Sequence, residues 1–382
     1  MNVILALALL QDPKPPPPAP VDEVKVQQAI DKGIAHLRKA PSKDAPYPAD
    51  WRTPDELILW TFLHAGVPEK DPDFQRLLKK ILGAPLEKTY KVALQAMCLE
   101  ELDRVAHQER IAQCAQFLVD NQCQNGQWSY GQPSPFVKEI KLPERKDVAT
   151  AAKDPAALDF GREVSAERKK PRVVQRVAVK KLKDGPATGD NSNTQYAALG
   201  LRACFDAGIE LPEGVVLLAV KWWRESQLRP DEKDGVYGGK GWNYKDAQAQ
   251  PDRKAYSSMT AGGTGSLIIY DYMLGRRWKE DSWVKAGMKW LADHFAVNAN
   301  YYYMYGLERA GILYGTEKFG DHDWYPKGAG VILKNQNADG SWGKPKAGEE
   351  YRSTWDTCFA ILFLRRATRP LVATEGSGKL GK

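Results

Sequence analysis

Asp321, His322 and Asp323 stand in a row within FGDHDW (319–324), an order of residue types that could support acid–base chemistry. A carboxylate beside an imidazole can hold it in one tautomer, so that the ring gives or takes a proton near neutral pH. The alternative is an ordinary surface histidine at a helix start. Further along, WDTCFA (355–360) sets Asp356 next to Trp355. Asp356 reads either as a polar group facing a cavity or as a helix cap, since a carboxylate accepts readily from exposed backbone amides. More polar groups gather where apolar helical patterns begin. They are Asp190, Asn191 and Asn193; Tyr256, Ser257, Ser258 and Thr260; Tyr301, Tyr302, Tyr303 and Tyr305; and Thr354. Side by side, such starts would form the rim of a pocket that takes an apolar ligand and orients it with few polar contacts. Glu308 and Arg309, within YGLERAG, are charges on an otherwise apolar stretch, expected either to pair or to touch a ligand.

These residues need elements to carry them. After residue 22 helical periodicity dominates, in two alternating kinds. Segments 23–39, 71–83, 106–122, 212–227, 281–295 and 322–337 are amphipathic; segments 55–66, 88–103, 192–207, 256–274, 299–314 and 352–368 are apolar nearly all round, or small and aromatic. A helix apolar on every side needs neighbours on every side, whereas an amphipathic one needs a single covered face. Alternation therefore predicts an all-α, (α/α)6 arrangement of six inner helices wrapped by six outer ones, with parallel inner helices opening at one mouth. DPDF (71–74) has carboxylates spaced like a catalytic pair, but it opens an amphipathic segment and reads as a cap.

A frame recurs at the ends of outer segments. NQCQNGQW (121–128) and NQNADGSW (335–342) both contain Gln-x-x-x-Gly-x-Trp, through Gln122, Gly126 and Trp128 and through Gln336, Gly340 and Trp342. A looser copy runs from Gln227 to GGKGWNY (238–244). Glycine lets the chain turn, Gln can bond backbone groups at a helix end, and Trp can fill the groove toward the next pair.

Through these frames the chain resembles the terpenoid cyclase and protein prenyltransferase superfamily, whose QW motifs and α/α toroid they match over about residues 22–370. GDNSNTQYAALGLRA (189–203), YYYMYGLERAGILYG (301–315) and FGDHDWYPKGAGVILKNQNADGSWG (319–343) resemble bacterial prenyltransferase and squalene-oxidase repeat proteins. The resemblance implies three chemistries. Cyclases protonate an alkene through Asp-x-Asp-Asp; DHDW comes nearest, with Trp324 in place of the last Asp. Prenyltransferases bind zinc through Asp, a Cys two residues on and a later His. Asp356 and Cys358 have that spacing, but no His follows, so the ligand set is incomplete and no cofactor is expected. Thioester toroids need Gly-Cys-Gly-Glu-Gln, which is absent. Nucleotide use has no support either, because GGTGS (262–266) lacks the P-loop lysine.

The remaining composition narrows the class. The 382 residues are 43% apolar, with 12 Trp and 16 Tyr, enough for a core and an aromatic cavity. The net charge of +7 is concentrated: residues 137–184 hold 14 Lys/Arg against 8 Asp/Glu. The segment 132–189 reads as an insertion, with EIKL (139–142) and VVQRVAVKKL (173–182) as a small β-hairpin. Its run 167–183 is either a solvated rim or a docking arm for an acidic protein or anionic surface. With few aromatics interleaved, it does not suggest nucleic acid. The five cysteines are scattered and read as buried thiols. Residues 1–21 look like a signal-like leader with a proline-rich linker, which predicts export, or a cytoplasmic location if the leader is no signal; residues 371–382 read as a tail. No segment reaches membrane-spanning length. The expected function is binding of a hydrophobic or peptide-like ligand in a central aromatic cavity. A cyclase-like or prenyl-transfer enzyme using Asp321, Asp323 or Asp356 is the alternative, and a protein-interaction scaffold the third.

Overall fold

The computed structural model describes residues 21–39, 54–142, 170–228, 240–245, 254–345 and 351–371. They are mostly helical. The helices are α1 (Glu23–Lys39), α2 (Asp55–Ala65), α3 (Pro72–Gly83), α4 (Thr89–Asp103), α5 (Gln108–Asp120), α6 (Asn191–Asp206), α7 (Glu213–Glu225), α8 (Ser257–Met273), α9 (Ser282–Asp293), α10 (Tyr301–Tyr314), α11 (Trp324–Lys334) and α12 (Tyr351–Leu364). Each falls on a segment whose periodicity predicts it. The even-numbered helices are the apolar ones: eleven consecutive residues of α10, Tyr303 to Leu313, are buried. The odd-numbered helices other than α5 bury one stripe, such as Phe74, Leu77 and Ile81 of α3, whereas α5 is buried from Cys114 to Asp120.

Neighbours follow the same division. The even helices α2, α4, α6, α8, α10 and α12 each pack on the next, and α12 packs on α2 again. The odd helices lie against them: α3 on α2, α5 on α4 and α6, α7 and α9 on α8, and α11 on α10 and α12. At the start of α3, the Asp71 side chain accepts from Asp73 N and Phe74 N at 3.0 and 3.3 Å, the capping role its position suggests.

The repeated frame ties one odd helix to the next. Gln122 Nε2 donates to Val215 O of α7 at 2.8 Å, and Gln336 Nε2 donates to Ala29 O of α1 at the same distance. Gln227 of the looser copy reaches Trp283 O of α9 at 3.0 Å. The glycines turn the chain against that same helix. Gly126 and Gly340 have φ of +95° and +86°, and a Cβ on either would lie 2.4 Å from a backbone oxygen, Leu218 O or Lys32 O. The tryptophans are fully buried. Trp128, Trp242 and Trp342 each donate their indole N–H back to the helix just left, at Leu118 O, Trp223 O and Ile332 O. Each also donates its backbone N–H to a threonine hydroxyl of the following even helix: Thr194, Thr260 and Thr357, at 3.0 to 3.1 Å.

The basic segment corrects one expectation. Residues Pro135–Glu139 form a 3₁₀ turn, so EIKL does not pair as a strand. Pro135 suits the first position of that turn, and α5 takes up the polar groups that follow: Gln113 Nε2 donates to Ile140 O, and Leu142 N donates to Glu109. The strand β1 (Val177–Ala178) pairs instead, in parallel, with β2 (Ile209–Glu210). A second short pair joins β3 (Lys318–Phe319) to β4 (His322–Asp323). Residues 143–169, the leader and linker other than Val21, and the tail beyond residue 371 lie outside the described residues. No described helix is long and apolar enough to cross a membrane. All five cysteines are buried free thiols.

Candidate functional site: an aromatic mouth

The starts of α4, α6, α10 and α12 surround a cavity of about 400 Å³. Tyr90, Tyr196, Tyr302 and Trp355 line it from the helices, and Tyr130 and Tyr244 from the loops beyond Trp128 and Trp242. Lys88, Ser192 and Asn193 add polar groups. Local chemistry fixes this wall. Asp190 caps α6 by accepting from Asn193 N at 2.8 Å, and it also takes Asn193 Nδ2 at 2.9 Å. Asn191 holds the neighbouring loop, donating its backbone N–H to Tyr244 O at 3.0 Å and its side chain to Asn243 O at 2.8 Å.

A polar chain leads inward from the cavity. The Tyr302 hydroxyl lies 3.0 Å from Ser192 Oγ and accepts from Gln195 Nε2 at 2.5 Å. Gln195 Oε1 in turn accepts from Arg309 Nη2 at 3.0 Å. The guanidinium lies over the Tyr305 ring at 4.4 Å, and Trp60 Nε1 donates to the Tyr305 hydroxyl at 3.0 Å. Burial pushes the Tyr196 and Tyr305 hydroxyls up to about 12 and raises those of Tyr302 and Tyr244 as well. These phenols therefore stay neutral and keep their donor hydrogens at physiological pH. The glycines of GGTGS serve this packing. A Cβ on Gly262 would meet Gln195 Oε1 at 2.6 Å, and one on Gly263 would meet the Trp242 ring at 2.7 Å.

The structure divides the residues picked from sequence among separate places. Asn193, Tyr302 and Trp355 line the mouth, with Asp190 directly behind them. Ser257 is half-buried at the start of α8, and Tyr256 is 39% exposed; neither lines the cavity. Tyr305 lies deeper. Glu308 and Arg309 form no ion pair with each other. Glu308 turns to Thr368 beyond α12, accepting from its N at 2.9 Å and its Oγ1 at 2.6 Å, and burial pushes the carboxyl up to about 7.

The DHDW residues lie at the other end of α12. Tyr325, next in sequence, donates its hydroxyl to Leu364 O at 2.9 Å. Leu364 is nine residues beyond Trp355, which puts it roughly 14 Å away along the helix axis. Asp321 is exposed there, and Asp323 pairs with Lys318 at 3.4 Å. His322 stacks on Phe295 with ring centres 4.6 Å apart, and its Nδ1 lies 3.0 Å from Lys327 Nζ. A lysine, rather than the carboxylate expected from sequence, is thus its hydrogen-bonding neighbour. Trp324 is buried and donates to Thr316 O at 2.9 Å. Asp323, Trp324 and Arg366 line a smaller cavity of about 210 Å³ at that end.

The residues do not fit zinc. Cys358 is buried, its thiol pushed up to about 12 by burial, while His322 lies with the DHDW residues at the far end of α12. Among the described residues, no group of three His, Cys, Asp or Glu side chains could hold a metal ion. Asp356, beside Trp355, has its carboxyl pushed up by burial to about 6, against the pull of Arg352. The basic run is partly committed within the chain. Lys170 pairs with Glu100 and Glu101 at 2.5 and 3.0 Å, and Lys181 with Asp184 at 3.0 Å, while Lys180 is exposed.

Tyr90, Tyr130, Tyr196 and Tyr244 escape the sequence reading. A signal for two of them exists: WSY (128–130) and WNY (242–244) both put a tyrosine two residues after the frame tryptophan. No family model matches the sequence, and no curated protein matches it.

Proposed function

We propose that the twelve helices form an (α/α)6 toroid of the terpenoid cyclase and prenyltransferase kind, and that its mouth binds a hydrophobic or peptide-like ligand. The toroid reading is supported by the succession of even-helix contacts that returns to α2, and by the frame that ties α11 back to α1. The binding reading is carried by one observation, the cavity of about 400 Å³ with six aromatic side chains in its wall. That size suits a small organic ligand, and neutral phenols with Ser192 and Asn193 would orient its polar end. The test is a titration with linear and branched apolar alcohols and with short apolar peptides, followed by tryptophan fluorescence. Saturable binding is expected, weakened about tenfold by Trp355→Ala, the scale of losing one aromatic anchor. No saturable binding by either class would sink the reading.

Asp356 follows the cavity-lining Trp355 but turns its carboxyl to Gly343, outside the cavity wall; a second, catalytic reading needs that side chain to reach the ligand. A carboxyl held near 6 keeps part of its population protonated at neutral pH, the state an acid catalyst needs. Asp356→Asn would abolish turnover of an isoprenoid substrate while leaving binding intact; turnover unchanged in that variant removes Asp356 from the chemistry. The scaffold reading gains if neither binding nor turnover is found.

A further inference from the structure

We propose that Arg309 anchors a small monovalent anion, a halide or the carboxylate of a small organic acid, in a pocket at the end of the helical core away from the mouth. The pocket holds about 50 Å³ and lies among α2, α4, α6 and α10, with the residues just after α12 across it. Trp60, Met97, Leu199 and Tyr305 supply apolar wall. Arg309 is 4% exposed, and its Nη1 is buried without a hydrogen-bond partner.

The charges around the pocket leave Arg309 over. Four cations and three carboxylates line it. Lys170 and Arg369 pair with Glu100 and Glu101. Arg202 pairs with Asp206 at 3.3 Å and gives its Nη1 to Arg369 O at 3.0 Å. Among the described residues no carboxylate forms an ion pair with Arg309; its partners are Gln195 Oε1 and the rings of Tyr305 and Tyr196. The adjoining Glu308 is held by Thr368. A guanidinium cannot shed its charge, and a buried charge without a counter-ion is costly. A water on Nη1 would complete a hydrogen bond but leave the charge; an anion does both. The volume admits only something small. The Glu100 and Glu101 carboxylates near the opening would repel a doubly charged ion more than a singly charged one. This pocket shares no lining residue with the mouth, to which Arg309 is joined only through Tyr196 and the Gln195–Tyr302 chain.

The experiment is thermal unfolding of the full chain at constant ionic strength, with sodium fluoride replaced stepwise by bromide, formate or sulfate. Unfolding temperature should rise saturably with bromide or formate and not with sulfate. A response to bromide alone assigns a halide site; formate competing with bromide assigns a carboxylate site. Arg309→Met should fold, since it removes an unpaired buried charge, and should lose the saturable response. Equal responses in Arg309→Met and the wild type overturn the proposal. If that variant does not fold, wild-type crystals soaked in bromide decide: an anomalous peak within hydrogen-bonding distance of Nη1 supports the site, and water alone there refutes it.

Discussion

Replacing Gly340 by alanine tests the role given to the repeated frame. Two costs separate cleanly, because Gly66 supplies a control. Gly66 has φ of +81° with nothing within 4 Å of an added Cβ, so Gly66→Ala meets only the strain of a left-handed backbone. That strain is roughly 1–2 kcal/mol for an L residue. Gly340 has φ of +86°, and its Cβ would also lie 2.4 Å from Lys32 O, an oxygen in the middle of α1 that cannot rotate aside. Relief requires the turn and α1 to separate by several tenths of an ångström, and overpacking of this kind adds about 1–3 kcal/mol. The described part of the chain should lose about 1.7 °C of unfolding temperature per kcal/mol, from the usual unfolding entropy per residue. Gly66→Ala is thus expected to lower the midpoint by roughly 2–3 °C and Gly340→Ala by roughly 3–8 °C, read by circular dichroism. Gly126→Ala should match Gly340→Ala, because Leu218 O stands where Lys32 O does. If Gly340→Ala costs no more than Gly66→Ala, the frame does not clamp α11 to α1 and the closure argument fails.

Two further outcomes follow from buried charge. Burial pushes the Glu56 carboxyl up to about 7, and its Oε2 lacks a partner. The folded state then binds this proton more tightly than the unfolded one, so the contribution is full below about pH 4.5 and is lost as pH rises through 7. Glu56→Gln should flatten that decline, by up to about 3 kcal/mol across the window, in denaturant titrations at several pH values. Glu101 behaves oppositely. Burial alone would raise its carboxyl, but Lys170 and Arg369 hold it below its usual value. Its stabilisation is therefore present above the unfolded carboxylate range and lost as pH falls. Lys170→Met should cost about 3 kcal/mol at pH 7, and less below pH 4 as the stranded Glu101 carboxylate protonates; an equal cost at both pH values would count against the pairing.

The helices were legible because burial on all sides and burial on one side leave different patterns. LILWTFL of α2 has no polar face, and FQRLLKKIL of α3 has a wide one. The frame was legible through Gly126 and Gly340, since glycine there answers a backbone need that no other residue meets at low cost. What the sequence hid is distance. DHDW and WDTCFA look equally suited to one site, and only the direction of α12 shows that they sit at opposite ends of it. The hairpin expectation failed for a related reason: alternation in VVQRVAVKKL marks an extended segment but does not name its partner, which is Ile209–Glu210. Arg309 showed as a charge in an apolar helix, but its partners Gln195, Tyr196 and Tyr305 are spread over two helices.

The pairing of each frame tryptophan with a threonine suggests that clamp and mouth are mechanically linked. Thr194 Oγ1 accepts from Trp128 N at 3.0 Å and donates to Asp190 O at 2.6 Å; two residues past Trp128, Tyr130 reaches the cavity. Thr357 makes the equivalent bond to Trp342 N, but glycine, Gly343, follows that tryptophan and no tyrosine does. Thr194→Val and Thr357→Val each strand a buried backbone N–H, a loss of about 1–3 kcal/mol. Stability should therefore fall alike in both. Only Thr194→Val also removes one of the bonds that hold the loop carrying Tyr130 against α6, beside Asp190 N to Trp128 O, so only it should weaken the ligand at the mouth. Thr357 lies two residues from Trp355 and faces a different side of α12, leaving that wall in place. Calorimetric binding to both variants, beside their unfolding midpoints, separates the effects. Equal losses of affinity would mean that the mouth responds to general loosening of the helices and not to its own clamp.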